Sequence, residues 1–499
     1  MKAFKNIAIF LFAASILVGC DDFLGDNVDP NKEQLNDIVP SDMLPSSIYY
    51  TSSGFYGVAS SICQISQQLA SYFQPGTDTQ EETQLAGAWS SIYLQALPDL
   101  NTLATKAEQE NSTSYLGITK VLQASNLGLA TDQWGDVPAS MATMGENDFT
   151  PSFDSQQDVY MQINTLLDEA ISLLQQNDTS SLTPGEDDLI YNGDTAKWIK
   201  AAYFLKARYS IHLTEIDQST AISEALNAVS NSFTSNADDF QLVYNTRNFN
   251  PWNSGVVLPN NTGNLSVLVS DQLVSLMNGS ALPYTTIAID PRLPKITTID
   301  ADDTEYLGAI NGAAGVHEFG NPDNTGANTD LGANNFYSSQ TAPIVMGSYA
   351  ELKFIQAEAL FLQNGGTPTS VGTTAAAYAA YMEGIQANMD KLGVSASESA
   401  AYLTDSSVDV GAGNLTMALI MREKFIATFL NPESFVDLRR YDFDPNVFIG
   451  LELPVNHNEA LNGQWIRRAQ YPSSEQTRNG DEVNAVIKPI SEGVWWDAD

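Results

Sequence analysis

Apolar residues recur every three to four positions along most of the chain. The period is clearest in residues 158–176, 196–213 and 347–363, and it begins near Ser41. The other stretches that share this period are 58–73, 88–108, 114–133, 374–392 and 414–430. Residues three or four positions apart lie on the same side of an α-helix. The pattern therefore predicts a mainly α protein in which each helix buries one face.

Neighbouring helical stretches have faces rich in alanine and aromatic residues, which suits packing as helix–turn–helix pairs. In residues 196–213, for example, Trp198, Leu205 and Tyr209 share a face with His212, which we expect to be a core histidine. No strict repeat of about 34 residues, as in tetratricopeptide (TPR) proteins, is visible. The sequence predicts a scaffold of degenerate helix pairs with little β structure.

The centre of the chain lacks this period. Residues 231–269 and 279–346 are rich in Asn, Gly, Thr and Pro. Loops this long inside a compact body are usually functional or disordered. These loops also contain many aromatic residues, which disordered segments lack: Tyr244, Phe249, Trp252, Tyr284, Tyr306, Phe336 and Tyr337. We therefore expect one domain over residues 37–499, in which a loop-rich insert spans about 231–346.

The N-terminus has the layout of a secretory signal. Lys2 and Lys5 precede an apolar run over residues 7–18, which is shorter than the roughly 20 residues of a membrane-spanning helix. The following Leu17-Val18-Gly19-Cys20 resembles a bacterial lipobox. The sequence predicts a lipoprotein signal peptide over residues 1–19, acyl chains on Cys20 and a lipidated tether over residues 20–36.

The charge of the chain limits its partners. The formal net charge is −38 at pH 7, and a mature chain that starts at Cys20 carries about −40. Such a chain repels nucleic acid and anionic lipid, so we expect contact with the membrane through the lipid anchor only. Cys63 is the other cysteine, which excludes a disulfide scaffold and indicates a small buried hydrophobe.

The sequence contains no recognisable catalytic set. His212, His317 and His457 are far apart, and no nucleophile elbow, phosphate loop or Cys–His arrangement is present. Residues 321–330 resemble a calcium loop, but Gly332 stands where the bidentate Glu belongs, which favours a polar turn. Because 60 acidic residues make some carboxylate pair inevitable, such pairs indicate nothing. We expect a protein that is not an enzyme and that has no metal or cofactor.

Short motifs in a fixed order connect the chain to a known family. They are NVDPNKEQLNDIVPSDMLPSSI (27–48), DQWGDVPASMA (132–142), DPRLP (290–294), SYAELKFIQAEALFL (348–362), FLNPESFVDLRRYDFD (429–444), RRAQYPSSEQTRN (467–479) and VWWD (494–497). In this order and spacing, the motifs resemble a divergent branch of the SusD/RagB-like outer-membrane lipoproteins of Bacteroidetes. The resemblance covers essentially the whole mature chain.

The resemblance implies a fold, a place and a function. The fold is a scaffold of degenerate TPR-like helix pairs with an irregular, loop-rich half. The protein lies at the cell surface, anchored in the outer membrane, over a SusC-like TonB-dependent transporter that it covers as a hinged lid. It binds nutrients, most often oligosaccharides, and passes them to the transporter.

Binding of a sugar requires exposed aromatic faces for the C–H side of the rings, together with amides and carboxylates for the hydroxyls. Two regions combine these groups: the loop after an early helix, where the resemblance also places ligand contacts, and the central insert. The candidate residues are Phe73, Gln74, Asp78 and Trp89 in the first region, and Trp252, Asn253, Tyr284, Phe336 and Tyr337 in the second. Any one of these rings can instead be a packing residue. Trp252 is the strongest single candidate because it lies between Asn residues on a Pro turn.

Three other functions remain open at this stage. A protein in the same role can bind peptides or another non-sugar nutrient. The aromatic content does not distinguish these ligands from sugars. A TPR-type scaffold that binds only proteins is favoured if the aromatic loops are buried. A glycan-cleaving enzyme needs two carboxylates about 5–10 Å apart in a cleft.

Overall fold

The computed structural model describes residues 38–73, 76–143, 149–264, 266–299, 304–314 and 329–497. The predicted signal peptide, Cys20 and the tether lie outside the described residues, as do Gln74, His317 and most of the calcium-like loop. Within the described ranges, no helix is long and apolar enough to cross a membrane.

The first helix, α1, runs from Pro40 to Ile65. Proline suits its first position because that residue has no intrahelical acceptor for an N–H group. The helix buries an apolar face that includes Ile48 and Phe55. The sequence predicted a helix through residue 73, which is wrong. The chain turns at Gln67, whose φ is +58°, and then enters the short strand β1 (Leu69–Ser71).

Helix pairs form the N-terminal part of the scaffold. Its helices are α2 (Ala86–Ser91), α3 (Leu97–Gln109), α4 (Thr113–Trp134), α5 (Gln156–Leu174), α6 (Thr195–His212) and α7 (Gln218–Val229). The side chains of Ser112, Ser155 and Asp194 accept backbone N–H groups at the starts of α4, α5 and α6. α4 packs along α5, and α6 packs along α7. The predicted stretches 114–133 and 158–176 match α4 and α5 within two residues.

The central insert contains short elements that pair with the scaffold. They are β2 (Phe240–Val243), α8 (Leu258–Asn261), β3 (Val267–Val269), α9 (Asp271–Met277), α10 (Leu293–Ile296) and β4 (Pro343–Gly347). β3 pairs with β1 and β4 pairs with β2, both antiparallel. Apolar residues of the insert, such as Leu273, belong to the same buried cluster as Ile48 of α1. The described parts of the insert are therefore packed on the helices.

The C-terminal part returns to helices. They are α11 (Tyr349–Gln363), α12 (Ala375–Lys391), α13 (Ala396–Leu403), α14 (Met417–Ala427), α15 (Glu433–Arg440), α16 (Ser473–Arg478) and α17 (Gly480–Val486). α11 packs along α12 and also contacts α14. Trp496, near the end of the chain, is buried and donates to Asp132 Oδ1 of α4 (3.0 Å). The prediction of a mainly α fold with little β is confirmed.

The core contains ion pairs as well as apolar residues. The guanidinium of Arg292, from the DPRLP motif, is fully buried and pairs with Asp290 and Glu423 at 2.6 Å each. It also donates to Tyr402 Oη (3.1 Å) and to Asn388 Oδ1 (3.2 Å). These contacts connect the insert to α12, α13 and α14. Charges buried this deeply require such partners.

His212 lies in a second buried polar cluster, as expected of a core histidine. Its Nε2 lies 2.6 Å from Glu433 Oε1, and its Nδ1 lies 2.9 Å from Tyr160 Oη. The cluster joins α5, α6 and α15. His212 is therefore engaged in the interior of the scaffold.

Cys63 provides a prediction about reactivity. Its thiol is fully buried on α1, and burial raises the pKa of Cys63 far above its ordinary value. Because the thiolate is the reactive form, we expect no labelling of Cys63 by a thiol reagent while the protein is folded. In a soluble form that starts at Asp21, Cys63 is the only cysteine. Labelling should therefore appear only with denaturant, and rapid labelling of the native protein would contradict the buried position.

Candidate functional site

The structure places the main candidates of the central insert in the interior. Trp252 is 2% exposed, and Tyr56 packs edge-on against its ring at a centroid distance of 4.9 Å. The amide of Asn253 donates to the carbonyl of Ser338 (2.8 Å). Buried Tyr337 makes edge-on contacts with neighbouring rings. The expectation that Trp252 and Tyr337 stack on a sugar does not fit this structure, because neither ring presents a free face.

Phe336 and Tyr284 are only partly buried, but both serve packing. Lys391 Nζ lies 5.6 Å from the centroid of the Phe336 ring. The hydroxyl of Tyr284 donates to the carbonyl of Leu276 (3.3 Å), and burial raises the pKa of Tyr284. The structure therefore does not bring the candidates of the insert together as one exposed cluster of rings.

The early loop, residues 72–85, does expose an aromatic ring. Phe73 is 56% exposed, and the partly buried Tyr72 packs edge-on against its ring at 5.5 Å. Asp78 is buried instead, and its Oδ2 accepts the backbone N–H groups of Ser71 (2.9 Å) and Gly312 (2.8 Å). Burial raises the pKa of Asp78, whereas these two hydrogen bonds act in the opposite direction. Asp78 thus connects the early loop to the insert, and Phe73 remains available to solvent.

A third segment, residues 451–465, completes this region. The backbone N–H of Val455 donates to the carbonyl of Asn311 (3.1 Å), and that of Asn458 donates to the carbonyl of Thr79 (2.9 Å). Gly312 has a φ of +78°, and a Cβ on it would lie 1.8 Å from the carbonyl oxygen of Val455. Only glycine permits this approach. We call the meeting point of residues 72–85, 304–314 and 451–465 the three-loop junction.

A pocket of about 150 Å³ opens at the three-loop junction. Its polar lining comes from Gln67, Asp271, Gln272, Asn311 and Glu452. The amide of Gln67 donates to the carbonyl of Glu452 (2.8 Å), and the side-chain amide of Gln272 also donates to a backbone carbonyl (2.9 Å), which holds both side chains in place. Burial raises the pKa of Asp271. Amides and carboxylates around a small pocket are the groups that take the hydroxyls of a sugar.

The sequence did not predict these pocket residues. They come from the turn after α1, the start of α9, the loop 304–314 that follows α10, and the C-terminal segment 450–455. No local pattern marks them, because single Gln, Asn, Asp and Glu residues are common on any surface. The left-handed backbone of Gln67 would have been informative, but it is visible only in the structure.

Trp89 lies elsewhere, in what we call the aromatic groove. This groove of about 300 Å³ is lined by Trp89, Tyr93, Leu94, Phe149 and Glu475, among others. It shares no lining residue with the pocket at the three-loop junction. The early candidates Phe73 and Trp89 therefore belong to two separate features of the surface.

The described residues contain no group of three or more His, Cys, Asp or Glu side chains placed to hold a metal ion.

Comparison with known proteins gives a consistent result. A SusD-like family model, described as starch-binding and associating with the outer membrane, matches residues 32–472. A comparison with curated protein sequences found no significant match.

Solved structures show the same fold at low identity. A SusD/RagB family protein from Bacteroides thetaiotaomicron is 23% identical with a TM-score of 0.73, and the match covers 92% of this chain and 99% of that chain. A SusD homologue from Bacteroides fragilis is 20% identical with a TM-score of 0.71, over 93% and 100% of the two chains. A chitin-binding SusD homologue from Flavobacterium johnsoniae is 20% identical with a TM-score of 0.67, over 90% and 99%.

Proposed function

Because this chain belongs to the SusD-like family, we propose that it is a cell-surface lipoprotein that captures oligosaccharide. It delivers the glycan to a SusC-like TonB-dependent transporter of the outer membrane and acts as the lid of that transporter. It binds its ligand without cleaving it. The observation that carries the proposal is the pocket of amides and carboxylates beside residues 304–314 and 451–465, together with the early loop that exposes Phe73 and is connected to residues 304–314 through Asp78.

The attachment to the membrane rests on the sequence. Leu17-Val18-Gly19-Cys20 supports cleavage before Cys20 and acylation of this residue. More than one acyl chain gives stable anchoring, whereas a single chain binds only marginally. The lipid then holds the protein at the outer membrane, beside the transporter.

The chemistry of capture follows from the lining of the junction. The exposed ring of Phe73 offers a face to the C–H side of a sugar, which contributes on the order of 1 kcal/mol. The carboxylate of Asp271 accepts hydrogen bonds from sugar hydroxyls, and the side-chain oxygen of Gln272, whose nitrogen is held by a backbone carbonyl, supplies a further polar contact. Each well-formed hydrogen bond adds about 1 kcal/mol net. A weak site of this kind suits a protein that must release its ligand to a transporter.

We expect Phe73→Ala to weaken binding of an oligosaccharide about fivefold, because a stacking contact of about 1 kcal/mol is lost. A soluble form that starts at Asp21 would be titrated calorimetrically with starch- and chitin-derived oligosaccharides. Gln272→Ala, on the pocket side of the junction, should weaken binding to a similar degree.

Phe249→Ala is the matched control, since Phe249 is also an exposed phenylalanine but belongs to none of the three loops of the junction. Normal binding by Phe73→Ala and Gln272→Ala would move the glycan site away from the three-loop junction. Failure of the wild-type protein to bind any glycan would reject capture of sugars by the protein alone.

The burial of Trp252 and Tyr337 favours a second candidate, a TPR-type scaffold that binds proteins. This function, like the capture of peptides or another non-sugar nutrient, predicts no response to the glycan panel. A pool of unrelated peptides titrated in parallel separates these candidates from glycan capture.

A further inference from the structure

We propose that the aromatic groove binds an extended, apolar segment of a partner polypeptide that carries a basic residue. This site is separate from the three-loop junction and does not depend on the proposed capture of glycans.

The floor of the groove is rigid. The rings of Trp89 and Tyr93 lie 4.3 Å apart, and Trp134 packs edge-on against Trp89 at 5.0 Å. The hydroxyl of Tyr93 donates to the carbonyl of Pro138 (3.0 Å), which joins the floor to one wall. A floor held in this way loses little conformational entropy on binding, and such preorganised pockets receive the anchor side chains of a partner.

The rim of the groove exposes large apolar side chains. Phe149 is 79% exposed and Leu94 is 68% exposed, which makes them the most exposed large apolar side chains of the described residues. Leu94 lies in a π-helical turn, Ile92–Ala96, between α2 and α3. Such turns often occur at functional sites. Apolar groups concentrated on the edge of a groove mark an interaction surface.

The lining favours a polypeptide over a glycan. Trp89 is 3% exposed, so its ring has no free face for a sugar, and the remaining lining is mostly aliphatic, aromatic or proline. Sugar hydroxyls placed here would lose their hydration without gaining hydrogen-bond partners, which is unfavourable. An extended peptide instead packs a Leu- or Phe-sized side chain against the exposed Leu94 and Phe149 of the rim and keeps its backbone toward solvent, as in other aromatic-lined peptide grooves.

The charge of the groove indicates a basic partner. Glu475 is the ionisable acid of the lining, and its side chain is hydrogen-bonded to Trp89. A partly buried carboxylate attracts a cation more strongly than a fully exposed one does. The net charge of −38 adds a long-range attraction for basic segments. A Lys or Arg beside the apolar anchor therefore fits this groove.

The test uses the soluble chain from Asp21 and fluorescence anisotropy. The probe is a fluorescein-labelled Pro-Leu-Pro-Phe-Pro-Arg peptide, and the two comparison peptides replace Leu and Phe by Asn, or Arg by Glu. We expect saturable binding of the probe, loss of binding with the Asn peptide and about three- to tenfold weaker binding with the Glu peptide. Absence of saturable binding of the probe at millimolar protein would overturn the proposal.

Leu94→Asp should weaken binding of the probe at least tenfold, because it places a second charge on the apolar rim. Val371→Asp is the matched control, since Val371 is 66% exposed and lies outside the groove. Equal binding by the two variants would overturn the proposal. The proposal would also be overturned if Leu94→Asp lost binding to phosphatidylcholine vesicles but kept normal peptide binding. That result would show that the rim binds lipid. The glycan titration of Leu94→Asp should stay normal, so failure of one site is distinguishable from failure of the other.

Discussion

Arg292→Met is expected to lower the free energy of unfolding by about 3–5 kcal/mol, the usual result of removing one partner from a buried ion pair. The guanidinium of Arg292 is fully buried and pairs with Asp290 and Glu423 at 2.6 Å each. Methionine fills part of the volume but neutralises neither carboxylate. Asp290 then remains in the core without its cation, Glu423 keeps only one ion pair, with Arg422, and the hydrogen bond to Tyr402 is also lost.

Urea unfolding followed by tryptophan fluorescence measures this effect. The control is Lys488→Met, which removes an exposed ion pair with Glu492 (2.7 Å) and is expected to cost less than about 1 kcal/mol. A loss for Arg292→Met as small as that of the control would show that the buried network does not hold the insert to the helices.

The pH dependence of stability is a second readout of the same variant. Burial opposes ionisation of Glu423, but the charges of Arg292 and Arg422 outweigh it and lower the pKa of Glu423 to about 2. Because this folded-state pKa lies below the ordinary glutamate value, the wild-type protein keeps the contribution above about pH 4.5 and loses it as the pH falls toward 2. In Arg292→Met the pKa of Glu423 should rise, so its protonation should no longer destabilise the fold, and the stability difference from the wild type should shrink as the pH falls from about 4.5 toward 2.

Much of the helical scaffold follows from periodicity alone. α4, α5 and α6 match predicted stretches within two residues, because each has a long apolar face and begins after a Ser or Asp that caps it. The end of α1 was predicted wrongly, since the apolar pattern continues past Gln67 while the backbone turns there. The predicted helix over 88–108 contains the π-helical turn between α2 and α3, which a regular period does not reveal.

Less of the candidate site than of the helical scaffold could be predicted from the sequence. An aromatic residue among Asn, Gly and Pro has the same local appearance whether it packs inward or faces solvent. The ring that covers Trp252 belongs to Tyr56, in a distant part of the chain. The pocket at the three-loop junction likewise depends on hydrogen bonds between distant segments, such as Val455 to Asn311. Such contacts are properties of the tertiary structure and have no local signature.

The second large effect is expected at Trp252, where alanine should lower the free energy of unfolding by about 3–5 kcal/mol. The indole is nearly inaccessible and packs against Tyr56, and its backbone N–H donates to Asn250 Oδ1 (2.8 Å). Alanine removes the ring and leaves a cavity beneath α1 that the surrounding helices cannot fill. The expected loss of stability is therefore caused by lost packing and does not depend on ligand binding.

The comparison with Trp252→Phe separates packing from binding. Phenylalanine retains an aromatic ring against Tyr56, so this variant should lose clearly less stability than Trp252→Ala in the same urea titration. Its affinity for the best glycan of the panel should equal that of the wild type, because a buried ring does not touch the ligand. Weakened glycan binding by Trp252→Phe with unchanged unfolding would contradict the buried role. That result would return the glycan site to the central insert, because a ring that affects affinity without affecting stability has to reach the ligand.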